Sequence, residues 1–135
     1  MNSDRRPGIR AEGHPRPLLR RDEWWALDGT WDFAFDRDGT LEHPEDVRWD
    51  RTILVPFAPE TPRSTIGDTR YTRACWYRRT VSVPEHDAGQ RVLLHFGAVD
   101  YTATVWIDGQ LATNHEGGYT AFSVDGSTWR KLNAI

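Results

Sequence analysis

The sequence predicts an all-β domain, a sandwich or a barrel, and three observations carry that expectation. Short apolar runs recur at regular spacing with turn residues between them. Several of these runs alternate apolar and polar residues, the period of a strand with one buried face. No apolar series at i, i+3, i+4 continues beyond about two turns, so no amphipathic helix is expected.

The strands follow in order. EWWALDGTWDFAFD opens the ordered part, with Asp28-Gly29 as a turn and then Trp31, Phe33 and Phe35 on one side of a strand against Asp32, Ala34 and Asp36. RDGTLEHPED reads as a loop, and VRWDRTILVP carries a second apolar run that ends at Pro56. FAPETPRSTIGDTRY has Pro and Gly punctuation without a period; it reads as a long irregular loop, a type often functional or covering something. ACWYRRTVSVP is a strand that ends at Pro84, with Trp76, Arg78 and Thr80 opposite Tyr77, Arg79, Val81 and Val83. EHDAGQ is a turn, and RVLLHFG a strand with Val92, Leu94 and Phe96 on one face. In DYTATVWID, Tyr101, Ala103, Val105 and Ile107 face the same way. Asp108-Gly109 between apolar runs is a strong hairpin signal, because a type I′ turn needs φ > 0 at both central positions, and QLATNH is the returning strand. Residues 1–17 are polar and without period, an extended lead-in.

Composition bounds the function. With 135 residues the chain makes one domain with a moderate core, and its seven Trp, five Phe and four Tyr exclude a disordered chain. A net charge of -3 gives no reason to expect nucleic acid or an anionic membrane as partner. The single cysteine, Cys75, reads as a small buried hydrophobe and requires no oxidising compartment. No run of eighteen apolar residues exists, and the Arg pair near the start is not followed by the apolar stretch of a signal peptide, so a cytoplasmic location is expected.

Most site chemistries fail on spacing. His14, His43, His86, His95 and His115 are scattered without Cys or His partners at ligand spacing, so no metal and no cofactor is expected. There is no G-x-S-x-G nucleophile motif, and the glycines do not follow the strand-then-helix context of a phosphate loop. A glycosidase needs two carboxyl groups at a fixed separation. Most acids here fall in turns, where Asp is expected for local hydrogen bonding, which leaves Glu60 and Glu116 as the loop acids of interest. Trp24, Trp49, Trp76, Trp106 and Tyr119 are candidate sugar platforms, although a Trp on an alternating strand is more often core. In HEGGYTAF, His115-Glu116 ends a strand, Gly117-Gly118 turns the backbone through φ > 0, and Tyr119 and Phe122 anchor the next segment in the core.

Five stretches, WWALDGTWDFAFD, ILVPFAPET, CWYRRTVSVP, RVLLHFGAVDYTATVWIDGQ and HEGGYTAFSVD, stand in the order and spacing of one pattern. From about Pro17 to Asp125 the chain resembles the N-terminal domain of glycoside hydrolase family 2, which includes β-galactosidases, β-glucuronidases and β-mannosidases. The resemblance implies a jelly-roll β-sandwich, galactose-binding-domain-like and called the sugar-binding domain, over residues 18–125. It also implies a carbohydrate partner and an enzyme that retains configuration at a β-glycosidic bond, with both catalytic glutamates on a TIM barrel beyond this domain. No catalytic residue is therefore expected here, and the chain alone is expected to be inactive. Glu116, His115 and Tyr119 are the candidate substrate-binding residues.

The sequence departs from the family pattern in three ways. The pattern continues with further strands past Asp125, so a truncated domain missing its last strands is expected, with an unpaired sheet edge open to self-association. Residues 126–135, GSTWRKLNAI, read as a non-matching tail and hold the only lysine, Lys131. In RSTIGD, Thr65 replaces a glycine found in many members, so that loop is expected to sit differently. Two alternatives from other classes stay open: a stand-alone carbohydrate-binding module, and a non-functional remnant of a disrupted gene.

Overall fold

A computed structural model describes residues 24–83, 85–128 and 131–134, the last of these as backbone only. The lead-in 1–17 and Pro84 lie outside the described residues. Eight strands form: β1 Gly29–Asp36, β2 Arg51–Val55, β3 Ala74–Ser82, β4 Leu93–Phe96, β5 Thr102–Ile107, β6 Gln110–Glu116, β7 Phe122–Asp125 and β8 Lys131–Ala134. The helical content of the described residues is two single 3-10 turns, Pro44–Asp46 and Pro62–Ser64, each begun by a proline whose missing N–H is not needed there. Neither is long and apolar enough to cross a membrane.

The strands pair antiparallel in the order β2-β1-β3-β8, with β4-β7 and β5-β6 as separate ladders. The first sheet contributes Trp31, Phe33 and Ile53 to the core, and the other ladders contribute Leu94, Val105, Ile107 and Val124. Apolar side chains from facing layers thus meet in one cluster, the arrangement of a β-sandwich. Phe33 is fully buried, with Phe35 and Tyr77 edge-on to its ring at 4.8 and 5.1 Å.

β1 departs from simple alternation. Trp31 and Phe33 face the core as expected, but Ala34 and Asp36 on the other side are buried as well. The reason is position: β1 lies between β2 and β3, and the segment after it folds back over its outer face. The Asp36 carboxylate accepts N–H bonds from Thr40 at 3.1 Å and Leu41 at 3.0 Å, which pins that segment down. Burial alone would raise the Asp36 pKa, but the Leu41 and Thr40 amides and the Trp76 indole outweigh it and hold it below the usual carboxylate value.

The hairpin turn forms as the sequence predicts. Asp108 and Gly109 have φ of 49° and 78°, and Ile107 pairs directly with Gln110. Tyr101 does not share the inward face of β5: the strand begins at Thr102, and Tyr101 is 60% exposed. The ladder also continues past Asp125. Residues 131–134, read as part of a non-matching tail, lie as β8 against Arg79–Ser82 of β3.

The irregular loop 56–73 is held by its own hydrogen bonds. Ser64 is fully buried; its hydroxyl donates to Thr61 O at 2.8 Å and accepts from the Ile66 N–H at 3.1 Å. Asp68 ties the loop to the end of β1 through ion pairs of 2.6 Å with both Arg37 and Arg70. These guanidinium bonds, that of Arg70 first, hold the Asp68 carboxyl far below the ordinary range. Thr65 adopts the left-handed conformation, φ 72° and ψ 0°, closing the 3-10 turn. This is a backbone region that favours glycine, here held by a β-branched residue.

Candidate functional site

The HEGG segment closes the β5–β6 hairpin at the end away from its turn, where Glu116 pairs with Thr102. Gly117 has φ 129°, and its N–H donates to Tyr101 O at 2.8 Å. Gly118 is needed for a different reason: a Cβ there would stand 2.6 Å from Asp100 Oδ1. Only Gly117 turns through positive φ; Gly118 makes room for the 100–101 segment, whose peptide is cis.

His115 is occupied structurally. Its Nε2 lies 2.9 Å from Thr120 Oγ1, and that hydroxyl donates to Gly117 O at 3.2 Å. A hydroxyl has one proton to give, so Nε2 is the donor to Oγ1 and carries a hydrogen. The ring lies flat on Phe122, 4.3 Å between centroids, and Phe122 lies flat on Phe96 at 4.6 Å. Three rings from β6, β7 and β4 therefore stack across this end of the molecule.

Glu116 and Tyr119 behave otherwise. The Glu116 side chain is exposed and makes no hydrogen bond or ion pair among the described residues. Tyr119, expected to anchor in the core, is fully exposed, because the double-glycine turn carries residue 119 outward before β7 begins at Phe122. Phe122 does pack against the core as expected. The structure thus brings the three predicted site residues to one end, with His115 built in and Glu116 and Tyr119 facing solvent. Asp100 and Tyr101, which sequence reasoning did not place here, stand beside them. The signal was the second glycine, which implies a close backbone approach without naming what approaches.

An exposed phenol with carboxylates close by can stack on the C–H face of a ring and accept hydroxyl hydrogen bonds. The tryptophans offer less, because their faces or edges are engaged within the protein. Arg78 covers Trp49 at 4.4 Å, His43 meets Trp106 at 5.3 Å, and the half-buried Trp76 directs its indole N–H to Asp36. Among the described residues no group of three or more His, Cys, Asp or Glu could hold a metal ion. The half-buried Cys75 packs against the core cluster, and burial, with the Glu60 charge behind it, pushes its thiol up to about 11, which leaves it protonated at neutral pH. Asp125 is held at about 2 by the Ser127 hydroxyl and N–H and by Arg91, so it stays an anion rather than a proton donor. Glu60 is exposed in the loop 56–73 and is not among the residues of the HEGG turn.

Residues 63–131 match the family model of the glycosyl hydrolases family 2 sugar-binding domain. The chain belongs to this family. The domain is 32% identical over 134 residues to a β-glucuronidase of Canis lupus familiaris, an alignment covering 87% of this chain and 20% of the relative. Among solved structures it resembles the Faecalibacterium prausnitzii β-glucuronidase, at 34% identity and a TM-score of 0.59, covering 82% of this chain and 20% of that one. It also resembles the Lactobacillus rhamnosus β-glucuronidase, at 28% identity and a TM-score of 0.65, covering 80% and 20% respectively. The sugar-binding domain described here therefore spans about one-fifth of the length of the relatives it matches. The all-β sandwich and its carbohydrate context follow from this membership.

Proposed function

We propose that this domain is the N-terminal lobe of a longer retaining β-glycosidase of β-glucuronidase type, whose catalytic acids lie outside these 135 residues. One observation carries the reading: the relatives are mostly β-glucuronidases, with a β-galactosidase among them, and the chain matches about one-fifth or less of each. The lobe's contribution is positional. The stacked rings of His115, Phe122 and Phe96 stiffen one end of the sandwich, and Glu116 and Tyr119 project from that end toward the rest of the enzyme or its sugar. In the complete enzyme, Glu116→Gln is expected to raise KM severalfold with little change in kcat, the signature of lost uniform binding. An equal fall in kcat and kcat/KM would count against that role. The same reading puts the protein in the cytoplasm, consistent with the free thiol of half-buried Cys75.

Tyr119, fully exposed, supports a second reading, a carbohydrate-binding module that works alone. Titration of the isolated chain with mono- and oligosaccharides, followed by amide chemical shifts, separates the two. The lobe reading expects binding at the His115–Tyr119 end no tighter than about 1 mM, or about 4 kcal/mol. Saturation there well below that concentration would favour the module.

A further inference from the structure

Beside the end of β1 and the start of β2 lies a cleft of about 450 Å³, a size that suits a small ligand. Arg37, Arg48, Arg51 and Arg70 line it, with Asp46 and Asp50. Asp68, at 2.6 Å from both Arg37 and Arg70, adds a third carboxylate, so the positive charge that is left rests mainly on Arg48 and Arg51. The β1–β2 register sets Arg51 opposite Phe33, and Arg37 follows the last residue of β1. Both guanidinium groups gather at the Phe35 ring, 4.0 Å and 5.4 Å from its centroid, drawn by the negative ring face.

The four arginines are not equally engaged. Arg37 is spent on Asp68 and on the carbonyls of Arg70 and Tyr71, and Arg70 closes on Asp68 as well. Arg51 makes a 3.7 Å ion pair with Asp50, too long for a hydrogen bond, and Arg48 makes no hydrogen bond or ion pair among the described residues. Two exposed guanidinium forks therefore keep their donors free in one cleft, and such a fork matches a carboxylate with two parallel hydrogen bonds. The remaining lining narrows the ligand further. Asp46 and Asp50 would repel a compact dianion but accept hydrogen bonds from hydroxyls, while Ala34 and Leu41 offer an apolar patch to the C–H face of a ring.

We propose that this cleft binds an acidic oligosaccharide, a chain of uronate residues presenting carboxylates beside free hydroxyls, at a site separate from the HEGG end. The separation follows from the hairpin. Its turn at Gly109 borders a neighbouring cleft with Glu45, next to Asp46, whereas Glu116 ends the same hairpin, roughly 20 Å away at the usual strand rise. The proposal does not depend on the glycosidase reading, since it needs no turnover.

Calorimetric titration of the full chain at low ionic strength tests it, with trigalacturonate, maltotriose and inorganic phosphate as parallel probes. Trigalacturonate is expected to saturate below about 1 mM and to weaken at least about tenfold in Arg48→Gln/Arg51→Gln. It should be unchanged in Arg63→Gln, an exposed arginine that does not line the cleft, and maltotriose should bind at least about tenfold more weakly. Because Arg48 and Arg51 are exposed, the double variant should melt like the parent; the single Arg48→Gln, with an expected loss of about threefold, serves if it does not. No saturation by trigalacturonate, equal binding of maltotriose or phosphate, or a folded arginine variant of unchanged affinity would each overturn the proposal.

Discussion

Thr65 sets the residue scale. A β-branched residue at φ 72° carries about 1–2 kcal/mol of conformational strain, part of which glycine's greater freedom in the unfolded chain would offset. Thr65→Gly is therefore expected to stabilise the domain by about 0.5–1 kcal/mol in urea denaturation; a loss would mean that the threonine side chain makes an offsetting contact. Asp36 is the converse case, a buried carboxylate whose acceptors are filled by backbone N–H groups. Asp36→Ala leaves those donors unpaired and is expected to cost about 2 kcal/mol. Its pKa, like those of Asp68 and Asp125, is lowered from the ordinary aspartate value of 3.8, so the stability these groups contribute is present above pH 3.8 and is lost as pH falls through the lower folded-state values. Thermal melts between pH 7 and pH 2 should fall mainly at the acid end; a melting temperature flat down to pH 2 would contradict this. At this scale the sequence was partly legible. It placed Trp31 and Phe33 in the core, but it could not tell that Asp36 would be buried, because that depends on a loop folding back over the strand.

At the scale of elements, the local signals carried furthest. Alternation and turn chemistry located the β5–β6 hairpin, since Asp108-Gly109 dictates its own φ values. The HEGG turn was legible as a turn, whereas the direction of Tyr119 was not: the outward path depends on Gly118 pressing against Asp100, a contact between segments far apart in sequence. Gly118→Ala is expected to make the exposed Asp100 side chain swing aside and to lower stability by no more than about 1 kcal/mol, with the amide shifts of Asp100 and Tyr101 moving together. Shifts confined to residues 117–119 would show that the two segments are not coupled. Phe122→Leu should remove the stack with His115 and Phe96 and lower stability by about 1 kcal/mol. The arginine cleft gave no sequence signal at all, because its lining comes from β1, the 41–51 segment and the loop at Arg70, which only the folded sheet brings together.

At the scale of the whole molecule, the family was legible from five motifs in order, and the strand that follows Asp125 was not: residues 126–135 read as a tail, whereas the family match runs on to 131 and residues 131–134 pair with β3. Among the described residues strands β2 and β8 end the first sheet, and a strand that ends a sheet can act as a template for pairing with another chain. The isolated chain is expected to dimerise or lose solubility with rising concentration in light scattering; a monodisperse monomer that melts cooperatively would count against it. The central claim is that this lobe positions and supports but does not cleave. The direct measurement is turnover of chromogenic β-glucuronide, β-galactoside and β-mannoside by the purified chain. The account predicts none above the uncatalysed rate, and turnover that disappears in Glu116→Gln would contradict it.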